Sequence, residues 1–87
     1  MPRLQKEVQI KGSQGLHARP AAMFVQTAAK YNSNVTLIKD GQKVNGKSIM
    51  GILTLGAQRG EVVVLEVDGT DAEKLIVELE QLLLQEE

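Results

Sequence analysis

The chain has 87 residues and a mass of 9.5 kDa, which predicts one domain, residues 1–87, with a modest core. It holds no cysteine and one histidine, so disulfides, thiolate chemistry and zinc sites built from several His or Cys ligands are excluded. Ten Lys and Arg against eleven Asp and Glu leave a net charge of −1. That gives no electrostatic footprint for nucleic acid, and no apolar run approaches the ~20 residues of a membrane span. The opening MPRLQKEVQIKG lacks the apolar stretch of a secretory signal, so the expected location is the cytoplasm.

Periodicity then divides the chain into short elements. Glu7 to Lys11 alternates, with Val8 and Ile10 apolar, and predicts a strand. Gly12-Ser13-Gln14-Gly15 reads as a loop. Helical spacing begins after His17: Ala21, Phe24, Val25 and Ala28 share one face, and Pro20 suits a first turn, where its missing N–H costs nothing. Tyr31-Asn32-Ser33-Asn34 ends that helix. Val35 to Lys39 and Gln42 to Asn45 read as strands joined by Asp40-Gly41, a pair suited to a type I′ turn. Ser48 is a good N-cap for a two-turn helix from Ile49 to Leu55, stopped by Gly56. Glu61 to Val67 is β-branched enough for a central strand. Thr70 and Glu73 have capping-box spacing, ahead of a stripe of Ala72, Leu75, Ile76, Leu79, Leu82 and Leu83. Glu86-Glu87 reads as a frayed tail. The order β-α-β-β-α-β-α predicts an α+β fold: one antiparallel sheet of four strands with three helices on one face and solvent on the other. Strand order does not follow from the pattern.

Two places carry chemistry. His17 sits where a glycine loop meets a helix start, in Gly15-Leu16-His17-Ala18-Arg19-Pro20. The first amides of a helix are unpaired donors at a positive dipole end, so anions are favoured there. A neutral imidazole can attack a phosphoryl group. The amides of Ala18 and Arg19 would then meet the phosphate oxygens, and the Arg19 guanidinium would neutralise them. Spacing alone leaves open that His17 only caps the helix and that Arg19 is a solvated charge. A general-base enzyme is less well supported, because no carboxylate or second histidine stands nearby to orient the ring. A small RNA-binding domain lacks support too, since the strands carry no stacking aromatics.

The second place is Asn45-Gly46-Lys47-Ser48-Ile49-Met50-Gly51. A phosphate on Ser48 would be tolerated by the helix dipole and would add roughly −1.5 to −2 charge. Plain capping accounts for Ser48 equally well. Ile49, Met50, Ile52, Leu53 and Leu55 cannot all share one buried face, so some should form an exposed patch suited to docking. Lys43, Lys47 and Arg59 are candidates for positive charge around it, although scattered cations are usually only solvated.

The stretches GLHARPAAMF and VNGKSIMGILTLGA, in this order and at this separation, closely resemble the HPr family. These are the histidine-containing phosphocarriers of the bacterial phosphoenolpyruvate-dependent sugar phosphotransferase system. The resemblance covers essentially the whole chain. It implies an open-faced β-sandwich, and a phosphocarrier in place of a turnover enzyme, with no cofactor or metal. His17 matches the histidine that takes phosphate on Nδ1 from enzyme I and passes it to an EIIA domain. Arg19 matches the arginine supporting that phosphohistidine, and Pro20 the proline opening the helix. Ser48 matches the serine modified by HPr kinase/phosphorylase. Ile49, Met50 and Leu53 match the docking patch, for which a transcriptional regulator is a further partner. The catabolite-repression paralogue of bacilli lacks the active histidine, whereas this chain has it. The family's nitrogen-related branch shares HARP but usually departs around the serine motif, so KSIMG favours an HPr-type carrier. A regulatory carrier without a sugar-transport role stays open, and a monomer is the expected state.

Overall fold

Seven elements follow one another in the predicted order over residues 3–86, which a computed structural model describes. They are β1 (Arg3–Gln9), α1 (Ala18–Ala29), β2 (Asn34–Lys39), β3 (Gln42–Asn45), α2 (Ile49–Leu55), β4 (Val62–Asp68) and α3 (Ala72–Leu84). The strands form one antiparallel sheet in the order β1-β4-β2-β3. The β-branched run therefore lies in the interior of the sheet, as its composition requires. Val63, Leu65 and Val67 point into the core, while Val62 on the other face is 50% exposed.

β1 begins four residues before the predicted strand and ends two residues earlier. Its pairing with β4 runs from Arg3 opposite Asp68 to Gln9 opposite Val62. Lys6 hides this strand from a periodicity reading. It occupies the core-facing row between half-buried Leu4 and buried Val8, where its ammonium meets Glu80 of α3 at 3.1 Å. On the open face Arg3 and Gln5 both donate to the Glu66 carboxylate, Arg3 at 2.9 Å. The Arg3 hydrogen bond is the main reason that the Glu66 carboxyl lies below its ordinary range.

The β2–β3 turn has the expected form, with φ of 52° at Asp40 and 81° at Gly41. The helices cover the opposite sheet face. Phe24, Leu37, Ile52, Leu65 and Leu75, from α1, β2, α2, β4 and α3, are all fully buried in one cluster. Each such side chain contributes roughly 1.5–3 kcal/mol by leaving water.

The capping box at Thr70 and Glu73 does not form. Asp71 takes the N-cap position of α3 without a side-chain cap bond. Its carboxylate turns instead to the α1–β2 loop, accepting from the amides of Asn32 at 2.9 Å and Ser33 at 3.0 Å and from the Ser33 hydroxyl. A distant loop outcompetes the local cap because it offers three donors together. Gly69 permits this approach, since a Cβ there would stand 2.7 Å from Ser33 Cα. Beyond α3, Glu86 is exposed, and Glu87 lies outside the described residues.

Candidate functional site

The loop from β1 to α1 is clamped before it delivers His17. Gly15 adopts a φ of +72°, and a Cβ there would stand 2.6 Å from the Ala57 carbonyl oxygen. Only glycine meets both demands without strain. The Leu16 amide then donates to the Ala57 carbonyl at 2.9 Å, and the Leu16 side chain is buried. His17 follows as the extended N-cap residue of α1. No side chain caps this helix, and its first backbone bond runs from Ala21 N–H to His17 C=O at 3.0 Å. The amides of Ala18 and Arg19 lie ahead of that bond, outside the helical ladder. Pro20 falls in the same stretch, where no N–H is needed.

His17 is half-buried and Arg19 exposed. Both line a groove of about 1000 Å³. Leu16, Pro20 and Met23 contribute apolar lining, and Leu82, Leu83, Gln85 and Glu86 line it from α3 and the residues just beyond. An imidazole and a guanidinium thus line one groove at the start of α1, where Ala18 is exposed but lies outside the lining, an arrangement that can hold an anion beside a nucleophile. The sequence reading missed the α3 wall and Met23. The only available signal was Met23 itself, a large apolar side chain off the buried stripe of α1 and 42% exposed. Among the described residues, no three His, Cys, Asp or Glu side chains group to hold a metal.

Ser48 lies on a different element. Its Oγ accepts from the Gly51 amide at 3.0 Å as the N-cap of α2, and Gly56 ends the helix at φ 65°. Ile49 is 40% and Met50 71% exposed, Leu53 is half-buried against the core, and Ile52 and Leu55 are buried. α2 packs against α1 but contributes no residue to the groove.

The three candidate cations stand on different elements. Lys47 is half-buried and its ammonium donates to the Tyr31 carbonyl at 2.9 Å, at the end of α1. The Tyr31 hydroxyl donates in turn to Glu78 of α3, a bond that pushes the phenol pKa up. Lys43 lies exposed on β3 opposite Ile38, and Arg59 is exposed in the α2–β4 loop.

Comparison with known proteins bears on the family and the fold. The family model described as "PTS HPr component phosphorylation site" matches residues 4–85. The HPr-like protein Crh of Bacillus subtilis is 45% identical over 76 residues, 87% of this chain and 89% of its own. The phosphocarrier protein HPr of Xylella fastidiosa is 42% identical over 79 residues, 91% of this chain and 89% of its own. The crystal structure of a phosphocarrier protein HPr from Bacillus anthracis superimposes with a TM-score of 0.91 at 40% identity, covering 95% of this chain and 99% of that one. Carrying an open-faced four-stranded sheet, three helices and a histidine at the start of the first of them, the chain belongs to the HPr family of phosphocarrier proteins.

Proposed function

We propose that this chain carries phosphoryl groups between proteins of a sugar phosphotransferase system, with His17 as acceptor and donor. The observation that carries the reading is the meeting of His17 and Arg19 at one groove beside the uncapped start of α1. The His17 imidazole, at Nδ1 by resemblance to the family, attacks the phosphorus of phospho-enzyme I. The new N–P bond forms as the bond from phosphorus to its donor atom on enzyme I breaks, and the electron pair of that bond stays with enzyme I. The amides of Ala18 and Arg19 and the Arg19 guanidinium then face the phosphate oxygens, so positioning and charge stabilisation do most of the catalytic work. The same step in reverse delivers the group to an EIIA domain. The chain is a covalent intermediate, not a turnover catalyst, and it works in the cytoplasm. Exposed Ile49 and Met50, with Leu53 at their edge, are the docking patch for these partners. Such contacts must be small and short-lived to release the carrier.

Ser48 is a control point for an HPr kinase/phosphorylase. A dianion placed beside Ile49 and Met50 repels an acidic partner surface and creates a contact for a transcriptional regulator with a complementary cation.

The test is mass spectrometry of the chain after incubation with enzyme I and phosphoenolpyruvate. We expect one acid-labile phosphate on wild type and none on His17→Ala, whose fold is retained. Equal phosphate on both proteins overturns the assignment. Ser48→Asp should slow transfer from enzyme I, and an unchanged rate removes the control point. A second reading, a regulatory carrier without a sugar-transport role, draws on the matches to Crh proteins at 44% and 45% identity. Transfer from the phosphorylated chain to an EIIA domain separates the two, since the regulatory reading expects none.

A further inference from the structure

We propose that Glu61 is a positioning residue for His17, acting through the turn on which the His17 loop stands. The proposal rests on the reading of His17 as phosphoryl acceptor. Both ends of the loop are seated on residues 57–61. At its start, the Ile10 amide donates to the Glu61 carbonyl at 2.9 Å, and the Gly60 amide donates to the Ile10 carbonyl at 2.8 Å. At its end, Leu16 is bonded to Ala57, and Gly15 packs so closely on Ala57 and Gln58 that a Cβ would be 2.6 Å and 2.8 Å from their backbone atoms. A shift of this turn therefore moves the backbone immediately before His17.

The turn is closed once through its backbone, where the Glu61 amide donates to the Gln58 carbonyl at 3.0 Å. It is closed a second time by one side chain: Glu61 Oε1 accepts from the Gln58 amide at 2.7 Å. The same carboxylate lies 3.5 Å from the Lys39 ammonium, which also reaches the Leu55 carbonyl at the end of α2. The Gln58 amide is the main reason that the Glu61 carboxyl is held below its ordinary range. Glu61 is not among the groove's lining residues, and its carboxylate bonds to Gln58 and Lys39, not to His17 or Arg19. The shortest path from its carboxylate to His17 runs through Gln58, Ala57 and Leu16. Phosphoryl transfer is sensitive to that path, because small displacements of a nucleophile lose rate steeply.

The experiment has two arms. In the first, NMR follows the His17 ring Cε1–H signal and Leu16 amide exchange in unphosphorylated wild type, Glu61→Ala and Glu61→Gln. Glu61→Ala should move the His17 signal and speed Leu16 exchange about tenfold as the turn opens more often. Glu61→Gln keeps an oxygen that accepts from Gln58, so it should stay close to wild type. In the second arm, enzyme I and phosphoenolpyruvate phosphorylate each protein. Glu61→Ala should lower kcat about tenfold at unchanged KM for the carrier, with Glu61→Gln recovering most of the rate. An unmoved His17 and Leu16 in Glu61→Ala overturns the proposal. So does a rate loss confined to KM, or a Glu61→Gln variant that falls as far as Glu61→Ala. A wild type that takes no phosphate defeats the acceptor reading, and the first arm still decides the role of Glu61.

Discussion

The carboxylate of Asp71 joins two segments that are 38 residues apart, and its chemistry sets an acid limit on the fold. Its pKa lies below the ordinary carboxylate value, first because of the Ser33 hydroxyl and then because of the Asn32 amide. A depressed folded-state pKa means stability that is fully present above the unfolded value of about 4 and is lost as pH falls through the folded value. Replacing Asp71 with Asn should therefore lower Tm at pH 7, and its deficit against wild type should shrink steadily toward pH 3 in a calorimetric pH series. Ser48 allows a test of a different kind. Loss of its cap in Ser48→Ala should cost about 1 kcal/mol by urea denaturation, while Ser48→Asp, still able to accept from Gly51, should cost less. That order separates the hydroxyl's structural part from any effect of charge on phosphoryl transfer. Neither Asp71 nor Glu61 was legible in the sequence as a brace. Capping chemistry is local and visible in spacing, whereas Asp71 to Ser33 is a contact that only the folded chain creates.

At the scale of elements, the α2 boundaries and the Asp40-Gly41 turn were readable because each is enforced by a local rule. Ser48 can accept from Gly51, and Gly56 can take a positive φ. β1 was only half readable, since Lys6 stands in the core-facing row and breaks the apolar alternation that Leu4, Val8 and Ile10 would otherwise show. His17, Arg19 and the open start of α1 could be placed from GLHARP, because a helix N-terminus is a local feature. Part of the groove lining comes from α3, more than sixty residues later, and no spacing announces it. The loop between β1 and α1 carries its own prediction. Gly15→Ala sets a Cβ against the backbone of Ala57 in a left-handed conformation. It should destabilise the fold by about 1–3 kcal/mol in urea melts. It should also slow phosphorylation of His17 beyond what the fraction unfolded explains.

For the whole molecule, the scarcity of aromatic residues concentrates the packing. Phe24 alone supplies a fully buried aromatic ring, since Tyr31 is half-buried with its hydroxyl on Glu78. Phe24→Ala should cost about 3–5 kcal/mol. A domain of this size has only roughly 4–13 kcal/mol to lose, so chemical denaturation should find the variant at the edge of folding at 25 °C. The strand order has a consequence for how the protein is made. Synthesis proceeds from the N-terminus, and β1 has a single strand partner, β4, the sixth of the seven elements. At about 5–20 residues per second, the nascent β1 waits some 3–12 s for its partner. During that interval Leu4, Val8 and Ile10 have no core to enter. β1 is thus made long before it can be secured, and a growing chain of this protein leaves Leu4, Val8 and Ile10 open to any chaperone that meets it.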